Sequence, residues 1–273
     1  AWRRLRKNPI AMASIVVLVL MVVLVIFGPL LCGWEYDYMQ PTLKNLPPSA
    51  EHWFGTDMLG RDIFARVCVG GRVSLLIALV CTCVQVVVGC AYGGIMAYFG
   101  GWVDNIMMRV IEVMMSIPYL LVVIIVMMVL DNSVPSLLVA LCVTSWCNTA
   151  RAMRGVILQL KSSEYVMAAQ SLGAPARRVI LKHLIPNTIG ILILNTATSI
   201  PNYIFQESTL GFLGIGLQPP NTSLGVMISL GQAAMEFYPL QLIFPAAALV
   251  LIVLAFNLLG DGLRDALDPK LRK

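Results

Sequence analysis

Charge is scarce in this chain. Asp, Glu, Lys and Arg make up 12% of its 273 residues, where a soluble domain carries about 25%. The few charges are also clustered, so that intervals 10–31, 73–99, 113–130, 134–150, 188–206 and 237–260 contain none at all. A helix needs about 20 apolar residues to cross a bilayer. The chain is therefore expected to be an all-α integral membrane protein rather than a soluble domain. A cleaved signal peptide fits the first run poorly, because the run is too long and no small-residue cleavage site follows it.

Several chemistries are missing as well. No G-x-x-x-x-G-K-[ST] loop occurs, so the chain is not expected to bind and hydrolyse ATP itself. Neither G-x-S-x-G nor H-E-x-x-H is present, which leaves an intramembrane hydrolase unsupported. Cys81, Cys83, Cys90, Cys142 and Cys147 lie in or beside apolar runs and act there as small apolar residues. His52 and His183 are far apart, no metal-ligand spacing appears, and no metal site is expected. The span interiors offer Gln85, Asn195 and Asn257 but no carboxylate, with Glu112, Glu207 and Asp261 near span ends. Interhelical hydrogen bonds account for such amides, and a polar path lining is the sharper alternative. A chain without a buried carboxylate is poorly equipped for proton coupling. Any uphill transport should then draw its energy from a partner.

What is present is an alternation of apolar runs with short basic segments. It divides into an N-terminal segment 1–9, spans at 10–31, 73–99, 110–130, 134–157, 188–207 and 237–260, and connecting segments 32–72, 100–109, 158–187 and 208–236, with a tail at 261–273. Lys and Arg accumulate on the cytoplasmic side of short loops. With six spans, fifteen of the nineteen basic residues fall on one side, and Lys44, Arg61, Arg66 and Arg72 remain in the other. Both termini are expected to be cytoplasmic. Residues 208–235 carry no charge either, but the central "QPPNTS" breaks a spanning helix, so this stretch is expected to lie at the outer interface or dip into the membrane. In the long outer segment, "TDMLGRDIFARV" suggests a short interfacial helix capped by Thr56 or Asp57.

The segment "EYVMAAQSLGAPARRVILKHLIPN" (164–187) departs from this pattern. Ser163 suits an N-cap, with Glu164 in the first turn. Gly173 is placed to end the helix in the left-handed region, and Pro175 to open a second helix carrying Arg177, Arg178 and Lys182 among apolar residues. Pro186 should stop that helix where the fifth span begins. A solvated loop needs basic charge but not two helices meeting at a glycine; a small-residue ridge of this kind suits insertion into a partner's groove.

These residues resemble the cytoplasmic loop of bacterial ABC importer permeases, which reads E-A-A, three residues, G, nine residues, I-x-L-P. Ala168, Ala169, Gly173 and Pro186 match it, while Met167, His183 and Ile185 replace the usual Glu, Ile and Leu. The replacements, together with Glu164, Tyr165, Val166, Leu172, Ala174 and Asn187, are similar to the peptide and nickel branch. "GTDMLGRDIFARVCVGGRVSL" (55–75), "LGFLGIGLQPP" (210–220) and "FNLLGDGLRDALDPK" (256–270) resemble the same branch, in particular its C-type dipeptide and oligopeptide subunit. That family has a longer N-terminus, so residues are expected ahead of Ala1.

The resemblance implies the type I importer permease fold with six transmembrane helices, in the bacterial cytoplasmic membrane. It implies a heterodimer with a second homologous permease chain, two ABC ATPase subunits that bind ATP and Mg, and an extracytoplasmic peptide-binding protein. Membrane lipid is a further partner and nucleic acid is not. This chain would hold no cofactor and catalyse nothing. Glu164, Tyr165, Ala168, Ala169, Gly173, Arg177, Arg178 and Pro186 would form the ATPase-coupling site, with Arg177 and Arg178 facing either acidic ATPase groups or anionic lipid. Asn195, Asn202, Gln206 and Glu207 would line the path, and Asp57, Arg61, Gly214 and Gly216 would face the binding protein. A nickel or other small-solute importer of the same branch is the alternative, and a secondary carrier or channel is the rival from another class.

Overall fold

The structure, a computed structural model, describes residues 2–218 and 220–267. The basic tail residues Lys270, Arg272 and Lys273 and the proline at 219 therefore lie outside the described residues. Helices account for the architecture: α1 (Trp2–Leu5), α2 (Pro9–Cys32), α3 (Ile63–Phe99), α4 (Gly101–Ser116), α5 (Tyr119–Val129), α6 (Val134–Lys161), α7 (Glu164–Ser171), α8 (Ala176–Arg178), a π-helical stretch Val179–Leu184, α9 (Ile185–Phe212), α10 (Leu224–Ala234) and α11 (Leu240–Leu267). No β-strand occurs among the described residues. Four helical stretches there have the length and apolarity to cross a membrane, or five if the bent pair α4–α5 counts as one.

The chain divides into two compact units. The first comprises residues 1–79, 127–137 and 197–273. Its α2 starts at Asn8, whose side chain accepts from the Ile10 and Ala11 amides, and ends at Gly33 with φ 72°. Pro29 lies inside α2 and cannot donate to the carbonyl one turn earlier, at Val25. Arg72 of α3 fills that vacancy, with Nε and Nη2 donating to the Val25 oxygen at 3.2 and 3.0 Å and Nη2 also reaching Ile26 at 3.1 Å. In a lipid environment a freed carbonyl needs such a donor from the protein. Helix α11 packs on α1, α2 and α10. Small residues bring α11 and α2 close: Ala11 and Ala266 are buried together with Leu5, and Gly262 lies directly against Ala11.

The 33–62 segment of this unit is built by side chains. Asp57 accepts from the Leu59 and Arg61 amides and pairs with the Arg61 guanidinium at 2.7 Å. Of the short interfacial helix expected from "TDMLGRDIFARV", the first half is this turn instead and the second half, from Ile63, is the start of α3. Asp62 caps the real helix, accepting from the Ala65 amide at 2.7 Å, while its other oxygen meets His52 Nδ1 at 2.8 Å. Helix α3 consequently begins ten residues before the apolar run at 73 and continues unbroken through it. Phe54 stacks on Phe244 and meets Phe64 edge-on.

The second unit comprises residues 80–126 and 138–196. Where the sequence suggests one span over 110–130, α4 and α5 meet at 82°. The break is at Ile117, held extended (φ −85°, ψ 125°) by the proline after it. Gln85 Nε2 donates to Thr149 Oγ1 at 2.7 Å, an interhelical hydrogen bond between α3 and α6. Arg154 and Asp104 form a bidentate pair, both bonds 2.6 Å, between α6 and α4. One core cluster joins Cys90, Ala97, Met153, Ile157, Val166, Val179, Leu184 and Leu192.

Candidate functional site

In the second unit the cluster just described sits beneath residues 160–187. Helix α6 ends at Lys161, whose ammonium donates to the Tyr98 carbonyl at 2.6 Å and lies 5.7 Å from the Tyr98 ring centre. Ser163 occupies the N-cap position of α7, with its carbonyl accepting from the Val166 and Met167 amides. Its hydroxyl turns the other way and donates to the Leu160 carbonyl at 2.5 Å, so the expected side-chain cap of α7 is replaced by a seal on the end of α6. Glu164 remains in the first turn of α7.

Helix α7 buries one face and leaves the other open. Val166 is fully buried, whereas Tyr165, Met167, Ala168 and Leu172 are exposed. Tyr165, Ala168 and Leu172 are spaced three and four apart, so they share one stripe. Ala169 is half-buried beside it. Leu172 is 88% exposed. Gly173 takes φ 76° with open space around its Cα, as the helix-ending position requires. Pro175 then precedes α8, where Arg177 and Arg178 are exposed.

Pro186 does not stop this second helix. The chain stays helical from Ala176 to Phe212. The turns before the proline widen to π geometry, with the Ile185 amide reaching the Ile180 carbonyl five residues back. A widened turn accommodates a residue that can neither donate to nor pack against the carbonyl four positions earlier. Asn187 Nδ2 donates to the His183 carbonyl at 2.6 Å in the same turn. The second helix of the knuckle is therefore continuous with α9.

The other expected residues separate. On α9, Asn202 is exposed and Gln206 is half-buried one turn later, on the same face. Asn195 is half-buried and already engaged. Glu207 points elsewhere: it is 0% exposed, and Ser74 Oγ donates to its Oε2 at 2.5 Å, with Ser208 Oγ at 3.4 Å. This overturns the expectation that the chain holds no buried carboxylate. Helix α9 continues five residues past Glu207, so a position near the end of the charge-free run lies well inside the helix. Among the described residues its Oε1 has no hydrogen-bond partner.

Arg61 is 4% exposed and paired with Asp57, so it shapes the 33–62 segment from within. Its neighbour Arg66 reaches Thr222 Oγ1 at 3.3 Å, ahead of α10. Gly214 follows α9 with φ 76° in open space. Gly216 instead packs on the backbone of Gly211.

A family described as "binding-protein-dependent transport system inner membrane component" matches residues 89–273. The chain belongs to this family. As a binding-protein-dependent inner membrane component it is a multi-pass membrane protein, and its first 48 residues also match the "N-terminal TM domain of oligopeptide transport permease C". It is 46% identical to the dipeptide transport system permease protein of Bacillus subtilis (strain 168), over 100% of this chain and 86% of that one. The oligopeptide transport system permease protein of the same organism is 43% identical over 100% of this chain and 90% of its own length. The oligopeptide counterpart of Escherichia coli (strain K12) is 41% identical over 99% and 90%.

Proposed function

We propose that this chain is the transmembrane permease subunit of an ATP-driven importer of dipeptides or oligopeptides. Relatives named as peptide permeases match it from end to end. The observation that carries the energy-coupling part of this reading is the knuckle: exposed Tyr165 and Ala168 on α7, with Leu172 just past its end, held by buried Val166 against a second helix that continues into α9. Such a surface fits the groove of an ATPase subunit, which binds ATP and Mg and performs the hydrolysis; this chain is non-catalytic. Movement of α7 passes to the second helix of the knuckle through the core that Val166 and Val179 share, and that helix runs without a break through the π-helical turns into α9.

Six spans follow if the bent pair α4–α5 and α6 each cross the membrane, and both termini and the knuckle then share the cytoplasmic side. A second permease chain supplies the other half of the path, which Asn202 and Gln206 line on this side. The surface around Asp57 and Gly214 receives an extracytoplasmic peptide-binding protein. Arg61 and Gly216 hold that surface in shape.

Replacing Gly173 with Val tests the coupling. Position 173 has open space, so the spans fold, but the positive φ costs a branched residue about 1–2 kcal/mol and misdirects α7. Peptide uptake should fall at least about tenfold while ATP hydrolysis by the purified complex persists. Uptake equal to wild type would refute docking through this knuckle.

A further inference from the structure

Within the second unit, a groove of about 590 Å³ runs between α3 and the helical stretch from Ala176 into α9. Val86, Cys90 and Ile95 line one wall, and Ile180 and Leu192 the other. Arg177 stands on it as the one charged lining residue among the described residues. The groove is too apolar for water, which needs two to four polar partners to be held. Left empty, its lining would forfeit dispersion contacts along its whole length. An apolar occupant is required.

Charge decides which occupant. Arg177 is exposed, and among the described residues no carboxylate pairs with it. Arg178 and Lys182, on the adjoining turns, are likewise outside every ion pair there. An uninterrupted apolar channel with a free guanidinium on its wall matches a molecule with a hydrocarbon tail and an anionic head. The basic cluster belongs to the segment proposed above to be cytoplasmic, and the cytoplasmic leaflet carries anionic lipid. We infer that the groove is a binding site for an anionic phospholipid, with an acyl chain along Val86, Cys90, Ile95 and Leu192 and the phosphate on Arg177. Arg177 thereby acts toward lipid, while the exposed stripe of α7 acts toward the ATPase. The lipid lies against Ile180 in the π-helical turns, where the knuckle joins α9.

The test places the photoreactive residue p-benzoylphenylalanine at Leu181, which lines the groove and is 55% exposed. The chain is expressed with its partner subunits, irradiated in native membranes, purified and weighed. Adducts carrying phosphatidylglycerol or cardiolipin, enriched over their share of the membrane, are expected. Arg177→Gln should lower that enrichment about fivefold, equivalent to about 1 kcal/mol for one basic residue at an anionic surface, and Arg177→Lys should retain it. Lipid adducts in bulk proportion, adducts on another polypeptide, or an enrichment indifferent to Arg177→Gln would each overturn the site. Should the chain with the probe at Leu181 fail to accumulate, the probe at Val87, 68% exposed on the same groove, gives the same readout. Crosslinking needs neither peptide nor ATP, so its outcome is separate from that of the uptake assay.

Discussion

At the scale of single residues, the membrane setting makes a few polar side chains matter most. Arg72 and Glu207 illustrate opposite cases. Arg72 supplies donors to backbone that Pro29 leaves short, and Glu207 is a buried side chain that neighbouring serines must satisfy. Removing one partner of a buried hydrogen bond costs more than the bond is worth, because the other partner stays desolvated. Ser74→Ala should therefore destabilise the detergent-purified protein by about 1–3 kcal/mol, visible as a lowered thermal midpoint. Glu207→Gln keeps an oxygen that accepts from Ser74 and should lose less. A Ser74→Ala midpoint indistinguishable from wild type would mean that the hydroxyl does not hold Glu207.

At the scale of elements, the controlling feature is close backbone approach. Helix α10 approaches α9 so closely that a Cβ on Gly225 would overlap the Ser208 backbone. Gly211 meets the Val226 amide in the same contact. No flexible side chain is available to yield, so strain must be taken up by the main chain. Gly225→Val is expected to cost about 1–3 kcal/mol or more through overpacking. Gly214→Ala, at a positive φ but in open space, should cost about 1–2 kcal/mol. Thermal midpoints of the two variants side by side check the order, and a harmless Gly225→Val would show that α9 and α10 are not in this contact. The π-helical turn is the other feature of this scale. It lets Pro186 sit inside a helix and so keeps the knuckle attached to α9.

At the scale of the whole molecule, the proposal rests on sidedness. Six crossings return the C-terminus to the side of the N-terminus, and the positive-inside tendency puts both with the knuckle. A green fluorescent protein fused after Lys273 should fluoresce, and an alkaline phosphatase fused there should be inactive. The reverse pattern would remove one crossing and place the knuckle and the tail on opposite sides. Co-purification with a second permease chain, two ATPase chains and a peptide-binding protein is expected of the native complex.

How far the amino-acid order alone reaches differs from feature to feature. The apolar run of 10–31 becomes α2 almost residue for residue, because in lipid an apolar helix satisfies its own backbone and needs no other partner. Gly173 and Pro175 likewise announce the knuckle, since a left-handed turn and a preset φ are local properties. Contacts distant in sequence are not legible in this way. The start of α3 depends on Asp62 being shared between its cap and His52, and the burial of Glu207 depends on Ser74, 133 positions away. The fate of Pro186 depends on whether the flanking turns can widen against Val179 and Leu184, which are held in a core drawn from three other helices. The sequence by itself determined that this is a membrane chain with a basic helix–glycine–helix knuckle, because hydropathy and glycine stereochemistry act over a few residues. Only the tertiary structure decided which polar side chains are buried and which face of the knuckle is open, because burial is a property of what packs alongside.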